Sequence, residues 1–289
     1  MNAEDTFWAA PAKLNLMLRV TGRRTDGYHL LQTVFQFLDQ ADELRFQLRN
    51  DRQIRCRPTL PGVSDDENLA ILAARLLQKH TGHHAGADIQ IRKHLPMGGG
   101  LGGGSSNAAT TLLLLNRLWK LNLGTDELAG LGLQLGADVP VFIRGRSAWA
   151  EGIGEKLQFF EPEQPWYLIL TPACHVSTAE IFCDPQLTRD AKTIKIRDFI
   201  AGRHENTLQS LVAKRHPEVE QALSWLDRHG EGRLTGTGAC VFGEYPSQQE
   251  AEKALQKLPA DMQGFVSRGR NVSPLHTQYK EFFGAWPSG

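Results

Sequence analysis

Glycine crowds one short stretch of this chain: from Pro96 the sequence reads Pro-Met-Gly-Gly-Gly-Leu-Gly-Gly-Gly-Ser-Ser106, and six of the seven residues from Gly98 to Gly104 are glycine. Glycine loses more backbone entropy on folding than any other residue, so such density implies a backbone in close approach to something or held at positive φ. A flexible linker is the bland alternative, but Leu101 interrupts the run and an apolar helix pattern follows at once. That helix is expected to start at Ser105 or Ser106, both good N-caps, and to reach about Trp119. Backbone N–H groups feeding a helix N-terminus, where the dipole places about half a positive charge, make an anion site. We read the loop as a phosphate cradle.

Two familiar glycine patterns are tested by spacing. GxxxxGK[ST] fails because no lysine precedes Ser105 or Ser106. GxGxxG matches at Gly98, Gly100 and Gly103, but no acid follows at the ribose-binding distance and the first expected strands carry no such loop. A second cluster, Leu234-Thr-Gly-Thr-Gly-Ala-Cys-Val-Phe242, reads on its own as a hairpin turn. Placed near the first loop, it would close over the same phosphates.

Around these loops the periodicity alternates between strand and helix. Leu14, Leu16 and Leu18 alternate with Lys13, Asn15, Met17 and Arg19, a strand that places Lys13 and Asn15 on one face. A turn at Arg23–Gly27 precedes a second strand over Leu30–Leu38. A helix is expected through Leu69, Leu72, Ala73, Leu76 and Leu77, ending at Gly82, then a strand over Ala87–Arg92. Thr125 is expected to cap a helix ending at Gly136, and Val139–Ile143 to return to strand. Phe160–Pro165, with two prolines and two acids, is the candidate linker. Beyond it we expect a strand at Trp166–Leu170 and helices near Thr178–Phe182, Pro217–Arg228 and Ser247–Leu258. Further strands are expected around Leu234, Val241 and Phe265–Ser267. The mixture predicts an α+β fold in two units, residues 1–162 and 163–289.

Composition removes several function classes. With 32 Lys and Arg against 32 Asp and Glu, the net charge is zero and nothing favours nucleic acid or an anionic membrane surface. The opening residues carry acids where a secretory signal needs cations, and the long uncharged segment from Met97 to Asn116 is too rich in Gly, Ser, Asn and Thr to span a bilayer. Four cysteines without CxxC spacing read as reduced thiols, so a soluble, cytoplasmic protein is expected. His80, His83 and His84 lack a carboxylate partner and do not read as a metal site. The pattern sets no oligomeric state beyond monomer or weak homodimer.

Three segments in order, Pro11-Ala-Lys-Leu-Asn15, the Pro96–Ser106 loop and Gly236-Thr-Gly238, resemble the GHMP small-molecule kinases. Asp26-Gly-Tyr-His29 and Leu135-Gly-Ala-Asp-Val-Pro-Val-Phe142 extend that likeness to the branch whose acceptor alcohol carries a cytidine diphosphate. The resemblance implies a two-domain GHMP kinase fold, with an N-terminal domain like the second domain of ribosomal protein S5 and a ferredoxin-like C-terminal domain. It implies ATP as phosphoryl donor, a small alcohol as acceptor, and Lys13 and Asp138 as catalytic residues. Pro96, Met97, Gly98, Gly99, Gly100, Leu101, Gly102, Gly103, Gly104, Ser105 and Ser106 would hold ATP, with Asn68, Leu69 and Lys93 about the adenosine. Tyr28, His29 and Phe182 would recognise the cytidine, and Asn15 and Thr178 would contact the substrate. Because the loop supplies no cation, Mg2+ is expected as counter-charge, with Ser106 a candidate contact. Another alcohol, such as homoserine or mevalonate, is the alternative acceptor, and the Asp26–His29 segment argues against it.

Overall fold

A computed structural model describes residues 2–287; Met1, Ser288 and Gly289, the outer ends of the two expected units, lie outside the described residues. The first half is built on a long antiparallel hairpin, β1 (Trp8–Arg23) and β2 (His29–Arg49), joined by a tight turn in which Arg24 N–H donates to Tyr28 O at 2.7 Å. Both strands run well beyond the expected limits, and residues on both faces of β1 are buried, Lys13 and Asn15 among them. The reason is that the second half of the chain covers the face a lone sheet would leave wet. Leu18 and Val20 pack with Leu168, Val212 and Leu234, and Leu14, Leu16 and Met17 pack with Tyr167 and Phe242.

β3 (Ile54–Cys56) lies parallel to β4 (Gly86–Arg92), which pairs with β2. Between them α1 (Leu69–Thr81) starts where the Asn68 side chain accepts from Ala70 N–H, and stops at left-handed Gly82. It lays Ile71, Ala74 and Leu77 on α2 (Gly103–Leu118), whose Leu112–Leu115 run is fully buried in the main apolar cluster with Trp8, Phe37, Phe46 and Phe142. The second helix is capped three to four residues earlier than the serines suggested. Gly102, left-handed at φ +74, turns the chain and accepts from Ser106 N–H at 2.8 Å, so Ser105 and Ser106 occupy the first turn instead of capping it.

α3 (Thr125–Leu135) follows, with Gly124 at the cap, Thr125 as its first residue and Gly136 at its end. The next segment corrects an expectation: Val139–Arg144 is a helix, α4, and not a strand. All five residues from Val139 to Ile143 are buried, and a short wholly apolar run has no period to separate helix from strand. Pro140 sits in the first turn, where a missing N–H costs nothing, and left-handed Gly145 stops the helix. β5 (Ala148–Glu151) and β6 (Lys156–Phe159) close the first half on β2.

Phe160–Pro165 forms neither helix nor strand. Beyond it lie β7 (Trp166–Leu170), α5 (Thr178–Cys183), α6 (Ile196–Ile200), α7 (Gln209–Arg215) and α8 (Pro217–Asp227). They are followed by β8 (Arg233–Leu234), β9 (Val241–Tyr245), α9 (Gln248–Leu255), β10 (Gly264–Arg270) and α10 (Pro274–Phe283). α6, α7 and α10 had no counterpart in the sequence reading. β10 pairs with β7 over Gly264–Arg268 and with β2 at Gly269 and Arg270, so one sheet runs β3-β4-β2-β10-β7-β9-β8 through both halves, and only β3 and β4 are parallel in it. α10 returns to the first half, where Phe283 stacks on Trp8 and Phe282 meets it edge-on.

Candidate active site

Lys13 and Asn15 share one face of β1, as their spacing predicts, and that face lies under the glycine loop. The Lys13 side chain is almost wholly buried, and an ammonium has three donors to place. They meet three oxygens: Asn15 Oδ1, Gly100 O at 2.9 Å, and Asp138 Oδ2 at 3.3 Å. Asn15 is fixed in turn, its Nδ2 donating to Thr33 Oγ1 at 2.8 Å while its backbone N–H donates to Thr235 Oγ1 at 3.0 Å. Asp138 sits at the head of α4, its carboxylate a third exposed. Because Val139–Arg144 is helix, the acid stands at the N-cap of α4.

The glycine loop has two sides. Gly98, Gly100 and Gly102 all have positive φ, as the density of the motif implied. A Cβ on Gly100 would lie 2.4 Å from Thr235 O and 3.1 Å from Gly238 O, so the second glycine cluster packs directly on the first. Cys240 N–H donates to Gly99 O at 3.1 Å, and Asn206 Nδ2 holds Leu234 O and Gly236 O at 2.9 Å each. On the opposite side, Lys93 Nζ lies 3.4 Å from where a Gly103 Cβ would stand, and Leu69 Cδ1 3.3 Å from that of Gly104. Asn68 is beside them as the cap of α1.

Asp42 organises this side, and sequence reading passed over it. It is fully buried, with Oδ1 accepting from His94 N–H and Leu95 N–H at 2.9 Å each, and Oδ2 accepting from Asn107 Nδ2 at 3.2 Å and from the Lys93 ammonium. One carboxylate therefore ties the entry to the glycine loop, the first turn of α2 and Lys93 together. No local signal marks it: Asp42 lies in the polar run Asp39-Gln-Ala-Asp-Glu43 and takes its partners from residues 93–107.

A cavity of about 670 Å3 opens on the first side of the loop. Lys13, Asn15, Tyr28, His29, Gly100, Gly102, Ser105, Asp138, Thr178 and Phe182 of the sequence-predicted set line it, together with Thr33, Phe35 and Thr237. Thr178 and Thr237 hydroxyls are 2.8 Å apart. Tyr28 is 59% exposed, and the His29 and Phe182 rings lie 4.9 Å apart at 30°, so the imidazole itself faces the phenyl ring. Arg189 Nε donates to His29 Nε2 at 3.1 Å. Burial, then the charges of Arg189 and Arg23, hold the His29 imidazole below its ordinary range.

The remaining predicted residues lie elsewhere. Asn68, Leu69, Lys93, Gly103 and Gly104 flank the other side of the loop, Met97 is exposed, and Pro96, Gly98, Gly99 and Leu101 do not reach the cavity. Ser106 is fully buried with its Oγ unpartnered, so Ser105 and not Ser106 presents its residue to the cavity. His80 pairs with Glu127 at 2.6 Å, and among the described residues no group of three His, Cys, Asp or Glu is placed to hold a metal ion. Mg2+ keeps waters and phosphate oxygens and asks the protein for one or two oxygens, which the Asp138 carboxylate and the Ser105 hydroxyl, both of residues lining the cavity beside the glycine loop, would offer. All four cysteines are free, and no described helix is long and apolar enough to cross a membrane.

Comparison with known proteins gives the same picture. The model of the GHMP kinases N terminal domain matches residues 68–146, and that of the GHMP kinases C terminal matches residues 188–264. A 4-diphosphocytidyl-2-C-methyl-D-erythritol kinase of Shewanella halifaxensis is 54% identical over 269 residues, covering 93% of this chain and 95% of that protein. A crystal structure of 4-(cytidine 5'-diphospho)-2C-methyl-D-erythritol kinase superposes with a TM-score of 0.78 at 30% identity, over 91% of this chain and 99% of its own. A mevalonate kinase structure superposes with a TM-score of 0.67 at 16% identity, over 92% of this chain and all of its own, a likeness of fold alone.

Proposed function

The chain belongs to the GHMP kinases, and from that membership and its cavity we propose that it transfers the terminal phosphoryl group of ATP to the 2-hydroxyl of 4-diphosphocytidyl-2-C-methyl-D-erythritol. The products are ADP and the 2-phosphate, and the step belongs to the non-mevalonate route to isoprenoids. One observation carries the reading: Lys13, Asp138 and the aromatic slot of Tyr28, His29 and Phe182 line a single cavity floored by the glycine loop. Relatives bearing that activity match this chain at 54% identity, whereas the mevalonate kinase shares only the fold.

Phosphoryl transfer passes through a loose transition state and asks the protein for position and charge rather than covalent chemistry. Asp138 accepts the proton of the acceptor hydroxyl. Lys13, held by Asn15 and by Gly100 O, stabilises charge growing on the transferred group and on the attacking oxygen. The phosphates of ATP lie along the N–H groups of the loop and the N-terminus of α2, with the adenosine on the side of Asn68, Leu69 and Lys93. Ser105 and Asp138 would hold Mg2+, which would supply counter-charge to the phosphates. The cytosine ring enters the part of the cavity lined by Tyr28, Phe182 and His29, with His29 on its polar edge, and Thr178 and Asn15 contact the alditol. The division into residues 1–162 and 163–289 is part of the same proposal, supported by the two family models falling on either side of it.

The test is coupled ADP release from ATP and Mg2+, with the cytidylated alcohol beside free methylerythritol phosphate. Release with the cytidylated alcohol alone is expected; equal turnover of both would remove the base slot from the reading.

A further inference from the structure

Arg189 stands just outside the cavity and spends its guanidinium on neutral acceptors. NH1 donates to Leu187 O at 3.2 Å, NH2 to Phe182 O at 3.0 Å and to Asp184 O at 2.7 Å, and Nε to His29 Nε2 at 3.1 Å. The bonds to Phe182 O and Asp184 O grip the C-terminal end of α5, which carries Phe182, the bond to Leu187 O holds the loop that follows, and the fourth reaches the first residue of β2. Two walls of the aromatic slot, contributed by different halves of the chain, are thus tied by one side chain.

The fourth bond has a chemical consequence. A guanidinium is always protonated and offers donors only, so the ring nitrogen facing it must present a lone pair. His29 Nε2 is therefore bare, and the neutral ring carries its proton on Nδ1. Burial, and then the positive charges of Arg189 and Arg23, lower the ring's affinity for a second proton. Nδ1–H has no hydrogen-bond partner among the described residues, and His29 lines the cavity.

We propose that Arg189 is a positioning residue that sets the tautomer of His29, so that the slot offers the base a hydrogen-bond donor and selects cytosine over uracil. Cytosine presents two ring-edge acceptors, O2 and N3, whereas uracil carries a proton on N3. A donor on Nδ1 set against N3 pairs with the bare N3 of cytosine and meets the N3–H of uracil, and the opposite tautomer, an acceptor there, would invert that preference. The inference rests on the reading of His29 as a contact to the base. It adds which of the two imidazole nitrogens is the donor and what enforces it.

Two measurements test it. Nitrogen-15 NMR of the histidine rings in the full chain, with the His29 signals assigned by their loss in His29→Gln, separates protonated from bare ring nitrogens. The wild type is expected to show a protonated Nδ1 and a bare Nε2, and Arg189→Met to move towards the Nε2–H form that free histidine prefers. Wild-type His29 with its proton on Nε2 would overturn the proposal while leaving the base contact in place. The second measurement is the ratio of kcat/KM for the cytidine and uridine forms of the alcohol. Arg189→Met is expected to lower that ratio by about tenfold or more, to raise KM for the cytidylated alcohol, and to leave KM for ATP unchanged. Arg189→Lys, which retains a donor to Nε2, is expected to recover part of the ratio. A purely structural role would depress turnover of both alcohols equally, and an unchanged ratio overturns the proposal. His29→Ala with an unaltered KM for the cytidylated alcohol would overturn the base contact itself. If Arg189→Met fails to fold, the wild-type NMR result still decides the tautomer.

Discussion

Gly100 and Gly104 stand in one loop, and alanine at the two positions is expected to act in opposite directions. At Gly100 φ is +76, so alanine adopts a left-handed conformation at a cost of about 1–2 kcal/mol. Its Cβ would lie 2.4 Å from Thr235 O, 3.1 Å from Gly238 O and 3.2 Å from Gly238 N, all main-chain atoms that no rotamer change moves aside. The two glycine clusters must separate by about 1 Å to restore ordinary contact. Together these effects predict a loss of about 2–4 kcal/mol in folding free energy. Gly100 O is also an acceptor of the Lys13 ammonium at 2.9 Å, and a misplacement of about 1 Å at a catalytic group costs on the order of a hundredfold in kcat. Gly104 lies in the first turn of α2 without positive φ, and its Cβ would meet only Leu69 Cδ1 at 3.3 Å, the end of a flexible side chain. Alanine there is expected to stabilise the fold by about 0.5 kcal/mol through its better helix propensity. Urea unfolding measures both stabilities and coupled ADP release the turnover. Gly100→Ala within about 0.5 kcal/mol of wild type, or Gly104→Ala losing more than about 1 kcal/mol, would refute this account of the loop.

Asp138→Asn is expected to lower kcat by about 10^2- to 10^4-fold with KM for ATP little changed, since the acid faces the acceptor side of the loop; retained turnover sinks its role as proton acceptor. Asp42→Asn keeps an oxygen for His94 N–H and Leu95 N–H but turns an amide on Lys93 and Asn107. A stability loss of about 2–3 kcal/mol by urea unfolding is expected, with a raised KM for ATP, and an unchanged midpoint would contradict the burial of that carboxylate. His276 is buried against Trp286 with both ring nitrogens unpartnered, and burial lowers it from 6.5 to about 4. The folded state then binds fewer protons than the unfolded state between these values. Stability is therefore complete above pH about 6.5 and falls as pH drops towards 4, by at most about 2–3 kcal/mol. A flat dependence in wild type over that range, or one equally steep in His276→Leu, would contradict it.

Much of the site was legible because its chemistry is local in sequence. The glycine density required the positive φ values found at Gly98, Gly100 and Gly102. The two-residue spacing of Lys13 and Asn15 required a shared face once β1 was a strand, and their side chains are hydrogen bonded. The failures have physical causes too. Val139–Ile143 is apolar throughout and has no period to read, so sequence alone does not separate its helix from a strand. The serines at 105 and 106 have cap chemistry, but a left-handed glycine ahead of them made the turn first. Asp42 and Arg189 act across 51–53 and 160 residues of chain respectively, on Lys93 to Leu95 and on His29, and no local pattern marks such partners. The full length of β1 and β2 depended on a cover supplied by the second half, which the alternation in the first half does not encode.

The strand β10 gives its amides to β7 along most of its length and to β2 at its end. Jaws that swing about a flexible hinge need a seam with few bonds across it, and here the seam is stitched by a sheet. Opening by rigid rotation would tear Gly269 and Arg270 from Leu38 and Phe37, so substrate exchange falls to the rim, above all the turn around Gly27 that carries Tyr28. Amides of β10 should then exchange with solvent equally slowly in free and ligand-bound protein, while those of the rim turn slow only when the nucleotide is seated.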